Sequence, residues 1–325
     1  MLDGCDGNYG AANRHIIGIQ DKAKTNVLSR ITANLYDMNT KQRNARSQTT
    51  WYVINIKARR NQTPAHYVDA FRKIQTEDPL VQVYGKKYIS IRSLHESETM
   101  EVAGVPQWMK ACLAHYTIVD SDAFYNKRKR EDVQLAWNED IVANKNEAEL
   151  YFVPSVHKLA VRRCSKISLN NIVSYLKGAL DKVEPEGFDV TVILDQDMIA
   201  RILNASTILS FEANISYSNP GHTSGFQSLF EDKVHSMNPN KFSLFASGTV
   251  DNPLVKDEDG IIETATKLAE ENGSVNATIV EEPGGKRVRL DSKDHPRILL
   301  VPRFINKDLV NSLYNTLKSV FGNRG

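Results

Sequence analysis

Lysines and arginines gather in short runs on segments that read as β-ribbons. Lys57, Arg59 and Arg60 close the first β-rich run. Lys86, Lys87 and Arg92 belong to one hairpin; Lys158, Arg162 and Arg163 belong to another, with Lys166 just behind. Cations placed this way do one kind of chemistry well: they hold phosphate oxygens without reading bases. On an alternating strand Lys158 and Arg162 share a face, while Leu159 and Val161 point to the core. Trp51, Tyr52, Tyr84 and Tyr88 bring aromatic rings close by. The competing account of each run is a solvated sheet face balanced by Asp and Glu. Lys41, Arg43 and Arg46 add charge upstream of the first ribbon, whereas Lys127–Arg130 is followed at once by Glu131 and Asp132 and reads as a solvated loop.

Acidic residues offer a second chemistry. Asp195 and Asp197 stand at the start of a helix, and with Glu212 they could hold magnesium for a nuclease. The simpler role for Asp195 is to cap that helix, with Asp197 favouring its positive end. The remaining motifs exclude more than they include. Gly284-Gly285-Lys286 lies between two strands, so it is a hairpin turn and not a phosphate loop. None of the histidines are three to five residues apart, and Cys5, Cys112 and Cys164 are scattered, which gives no zinc pattern and no disulfide framework. No Gly-x-Ser-x-Gly elbow exists. The run Ser218–Gly225 could present backbone N–H groups to an anion, or be an ordinary strand-to-helix turn. The expectation is therefore a protein without catalytic residues, metal or cofactor, with a magnesium-dependent nuclease and a protein-interaction module as the rivals.

The elements that carry these residues are hairpins mixed with helices. Leu80–Tyr84 pairs with Tyr88–Leu94, Glu149–Val153 with His157–Arg163, and Val275–Glu281 with Arg287–Asp291. Helices are expected after Thr63, after Ser168, over Gln196–Asn204, over Gly260–Glu271, and after a cap at Asn306. Further strands are expected at Trp51–Ala58, Cys112–Val119, Phe188–Leu194, Thr207–Tyr217, Phe242–Ala246 and Arg297–Pro302, with a helix at Ser224–Ser236. This pattern is α+β: a mixed, mainly antiparallel sheet built from hairpins with packed helices. Residues 1–50 read as a flexible polar and basic arm, 51–184 as a domain with two basic hairpins, and 185–325 as a second α+β domain.

The chain has 325 residues, about 41% of them hydrophobic, with a formal net charge of only +2. Any contact with a polyanion must therefore be a local patch and not a whole-molecule field. No apolar run is long enough to span a membrane, and the free cysteines fit a reducing cytoplasm.

Several runs resemble a bacterial family labelled only as a domain of unknown function. They are Tyr52–Ile56, Pro64–Ile74, Val83–Tyr88 leading to Ile91–Leu94, Leu150–Pro154, His157–Leu159, Phe211–Asn214, Glu271–Gly273 and Val301-Pro302. That family is distantly similar to RexA, the exclusion protein of lambdoid phages, through the hairpin and capped helix at Glu149–Val183. The resemblance implies a homodimeric, largely sequence-independent protein that binds double-stranded DNA in phage exclusion or abortive infection and acts with a separate effector. It supplies no catalytic residue.

Overall fold

The computed structural model describes residues 48–120, 124–134, 138, 140–216, 234, 236–237, 239, 241–257, 260–302 and 309–322. The chain divides into two units, Thr49–Val301 with Ile305–Gly325, and Met1–Gln48 with Pro302–Phe304. Apart from the end residues Gln48 and Pro302, every described strand and helix belongs to the first.

The first helix, α1 (Pro64–Glu77), starts on Pro64, whose fixed φ and missing N–H suit that position. Thr63 precedes it in extended conformation without capping it; its hydroxyl donates instead to Asn61 Oδ1 at 2.8 Å. Ser168 does cap α2 (Leu169–Val183), its Oγ accepting from Asn171 N at 3.2 Å. Tyr67, Val68, Phe71 and Ile74 of α1 and Ile172, Leu176, Ala179 and Leu180 of α2 are fully or nearly fully buried. These two stripes cover one face of the larger sheet.

That sheet takes β1 (Gln48–Ala58), β2 (Val81–Tyr84) and β3 (Lys87–Glu96). Two short ribbons stand apart from it. One pairs β4 (Met100–Val102) with β5 (Val105–Pro106), the other β7 (Phe124–Asn126) with β8 (Glu131–Val133). Between and after them come β6 (Met109–Thr117), β9 (Ala143–Val153), β10 (Lys158–Arg162) and β11 (Phe188–Val192). The strand order is β11-β1-β10-β9-β6-β3-β2. The first two hairpins form as the turn residues dictate, and Gly85 takes φ +53° to close the β2–β3 turn. Lys127–Arg130, read from sequence as a loop, is the turn of the β7–β8 ribbon.

The smaller sheet is built from β12 (Thr207–Ser216), β13 (Lys241–Ser247), β14 (Gly273–Val280) and β15 (Arg287–Asp291), in the order β13-β12-β14-β15. Its apolar face, with Phe211, Ala213, Val275, Ala277 and Leu290, packs on Met198 and Ile202 of α3 (Gln196–Asn204) and on Ala265 and Ala269 of α4 (Ile261–Asn272). The α4 helix ends at Gly273, but that glycine is extended and not left-handed, because β14 begins there directly. A Cβ at Gly273 would come within 2.0 Å of Asn214 O, so only glycine lets β14 approach β12 at this end.

A last strand, β16 (Ile298–Pro302), pairs with β1. Val53 N donates to Arg297 O at 3.3 Å, and Val53 O accepts from Ile193 N at 3.0 Å. Both groups of one residue point to one edge, so β16 and β11 share an edge of β1 while β10 holds the other. The final helix, α5 (Leu309–Phe321), lays Leu313, Leu317 and Phe321 over Trp51, Val53 and Ala160. The inner strands of the larger sheet are thus covered on both faces. Asn306, the expected cap of α5, and the run Ser218–Gly225 lie outside the described residues, as does most of Ser224–Ser236. The whole is α+β, with hairpin-built antiparallel sheets under packed helices. Among the described residues no helix is long and apolar enough to cross a membrane.

Candidate nucleic-acid interface

The cations singled out by sequence fall into three situations. Five of the ten meet a carboxylate. Arg59 lies 3.3 Å from Asp189, Arg60 2.8 Å from Glu186, and Arg162 2.7 Å from Glu149. Lys86 pairs with Asp120, and Arg92 with Glu147. Glu147 also meets Lys145 at 2.9 Å, and Glu149 meets Lys110 at 3.5 Å. Exposed pairs of this kind are worth only about 0–1 kcal/mol each, so they do not lock the cations in place. They do put a carboxylate beside each charge that an incoming phosphate would need, and the net local charge sets the attraction.

Lys158 is in the second situation. It is 6% exposed and lies on the interior side of β10, under α5. Its Nζ donates to Asn55 Oδ1 at 2.9 Å and sits 5.3 Å from the Phe321 ring centroid. Arg297 approaches the same ring at 5.1 Å. Lys158 and Arg162 do share a strand face, as the alternation demands, but α5 covers the Lys158 end of it. His157, beside Lys158, takes a left-handed φ of 56°. Burial, and then the charges of Lys158 and Lys57, push its imidazole down to about 4.

The third group stays open. Lys87, Arg163 and Lys166 are exposed and form no ion pair among the described residues; Lys57 is outside this group, half-buried and with a partner of its own.

A second set of cations, not singled out from the sequence, is arranged differently. In β15, Val288 and Leu290 turn to the helices, so Arg287 and Arg289 stand on the opposite face of the smaller sheet. Lys241 opens β13, Lys286 precedes β15 and Lys293 follows it. All five are exposed, and none forms an ion pair among the described residues. The same face carries Glu212, Asn214 and Ser216 of β12, Ser274, Asn276 and Thr278 of β14, and Ser243 and Phe245 of β13. Phe245 is 71% exposed, opposite Glu212. Glu212 and Asp291 are the acids of this face. Asn214 donates to Glu212 at 3.0 Å, and this bond, then Asn276 and the charges of Lys293 and Arg289, holds that carboxyl below its usual range. Asp291 accepts from Lys293 N at 2.9 Å, which caps a short 3-10 turn. The signal in the sequence was the spacing of Arg287 and Arg289 around an apolar residue in a predicted strand.

The geometry suits a polyanion. Arg287 and Arg289 are separated by about 6.8 Å along a strand that rises about 3.4 Å per residue. That is roughly two nucleotide rises along one strand of B-DNA. Across three strand spacings, about 14 Å away, Phe245 offers a ring on which a base can stack.

The magnesium constellation does not assemble. Asp195 Oδ1 accepts from Asp197 N at 3.2 Å as the cap of α3, and Glu212 is held on the open sheet face. Among the described residues no three His, Cys, Asp or Glu side chains gather in a group able to hold a metal ion.

No curated protein matches the sequence. A family model does match, over residues 47–318, which takes in every described strand. The chain therefore belongs to the family described as Domain of unknown function (DUF4747).

Proposed function

We propose that the chain is a non-enzymatic DNA-binding protein that grips backbone phosphates largely without reading sequence, and that the open face of the β13-β12-β14-β15 sheet is the gripping surface. The observation that carries this is the pair Arg287 and Arg289: two guanidinium groups on one strand face, exposed, without a carboxylate partner among the described residues. Arginine is the side chain best shaped to hold phosphate in a bidentate manner. Neighbouring amides and hydroxyls add uncharged donors, and Phe245 adds a stacking surface.

The test is fluorescence anisotropy with the full chain and labelled duplexes of unrelated sequence, repeated with single strands and at two salt concentrations. Each phosphate contact contributes a slope of about −0.9 in log affinity against log salt on duplex DNA. Affinity should fall steeply with salt and differ little between sequences. An interaction indifferent to salt, or no interaction at all, overturns the proposal. The phage-exclusion setting, the homodimer and a separate effector are part of the same proposal and rest on the resemblance to RexA. Plating efficiency of phage on cells expressing the chain, with and without Arg287→Glu and Arg289→Glu, tests that setting.

A further inference from the structure

One end of the open face runs into a cleft of about 290 Å³. Its apolar wall comes from Leu169 and Val173 of α2, Val190 and Val192 of β11, and Leu194. Its other wall is the end of the smaller sheet, with Asn214, Ser216 and Ser274. Lys241 and Lys293 also line it, and among the described residues no carboxylate does. Glu212 lies nearby on the same face, held by Asn214. Gly273, where a Cβ would meet Asn214 O, is one of its lining residues.

These features select a ligand class. Two ammonium groups with no carboxylate among the described lining residues ask for an anion. An aliphatic wall asks for a flat or apolar body, and the hydroxyls and amide ask for a ligand that carries donors and acceptors along its edge. The volume stands at the small end of the roughly 300–1,000 Å³ usual for ligand sites, which fits one ring system with one anionic group. We infer that the cleft binds a single nucleotide, with the base against Val173, Val190 and Leu194 and the phosphate between Lys241 and Lys293. This deepens the DNA-binding reading and rests on it: the nucleotide is one monomer of the polymer that the adjoining face would hold.

The experiment is isothermal titration of the full chain with deoxyadenosine monophosphate, deoxyadenosine and inorganic phosphate, beside duplex DNA. The monophosphate should bind one site per chain, at least about ten-fold more tightly than either half of it. Lys241→Ala with Lys293→Ala, both at exposed positions, should weaken it at least about ten-fold. Val173→Trp, which fills the cleft from its half-buried position, should abolish monophosphate binding and leave duplex binding by the Arg287 and Arg289 face intact. Loss of fold in that variant would show in its circular dichroism melt, and the lysine pair then decides the matter alone. If the monophosphate fails to bind while duplex DNA binds, the cleft inference falls and the phosphate-face reading stands. If the monophosphate binds in a lysine-dependent way while DNA does not, the cleft stands and the DNA reading falls. Equal binding of inorganic phosphate and the monophosphate overturns the assignment of the base.

Discussion

The two sheets use the same residue types to opposite ends. In the larger sheet, strands β1 and β10 are covered on both faces, and of the cations around them Lys158 is enclosed, Arg59 and Arg162 are matched to carboxylates, and Arg163 and Lys166 stay open. In the smaller sheet one face is packed on α3 and α4, and the other is left polar, with Arg287, Arg289 and Lys241 on it and Lys293 at its end, none in an ion pair among the described residues. Counting basic residues along the chain ranks the first region higher. Asking what each charge faces reverses the order. A lysine or arginine signals a partner outside the molecule only when the fold has supplied none inside it.

The contrast can be broken in four ways. The largest effect should come from Trp51→Ala, which empties a site with no solvent exposure between β1 and α5. It should cost about 3–5 kcal/mol of stability, read as a lower denaturant midpoint. A loss under about 1 kcal/mol would mean that α5 does not seal that face. Next, Arg287→Glu with Arg289→Glu should weaken DNA binding by about ten- to a hundred-fold, or about 1.4–2.7 kcal/mol. It should also flatten the salt slope by about 1.8, two contacts at about 0.9 each. Unchanged affinity would remove the smaller sheet from the interface.

The third handle is pH. The His157 imidazole is depressed to about 4 in the folded chain, against about 6.5 when unfolded. Between those values the unfolded chain binds the extra proton, so this group's stabilisation is lost as pH falls from about 6.5 towards 4. The slope is at most about 1.4 kcal/mol per pH unit. His157→Asn keeps a residue that tolerates the left-handed φ and should flatten the melting temperature between pH 7 and 5. An equally steep curve in the variant would place the acid sensitivity elsewhere. The smallest effect is expected from Arg162→Ala. Its pair with Glu149 is partly exposed, so stability should change by about 0–1 kcal/mol and DNA affinity by less than about two-fold. A large loss of affinity would return the interface to the hairpins of the larger sheet.

Local signals were legible in the sequence, and long-range ones were not. The three hairpins followed from Gly85, from Pro154-Ser155-Val156 and from Pro283-Gly284-Gly285, because turn chemistry acts over a few residues. The caps at Ser168 and Asp195 were legible for the same reason. Lys158 could not be read. Its burial depends on Phe321, more than 160 positions away, and alternation within Lys158–Arg162 says only which residues share a face. The match of Arg92 to Glu147 joins strands separated by 55 residues, and that of Arg59 to Asp189 spans 130. Arg287 and Arg289 were within reach, since Val288 and Leu290 fix their side of the strand once the strand is known.

The tandem seating of β11 and β16 along one edge of β1 has a consequence for biosynthesis. Thr49 Oγ1 donates to Val301 O at 3.2 Å across 252 positions. Strand β1 therefore emerges from the ribosome long before β16 is translated, and that part of its rim stays unzipped while the intervening residues are made. Chains so dependent on distant contacts fold slowly, and an unzipped rim invites pairing with another nascent copy.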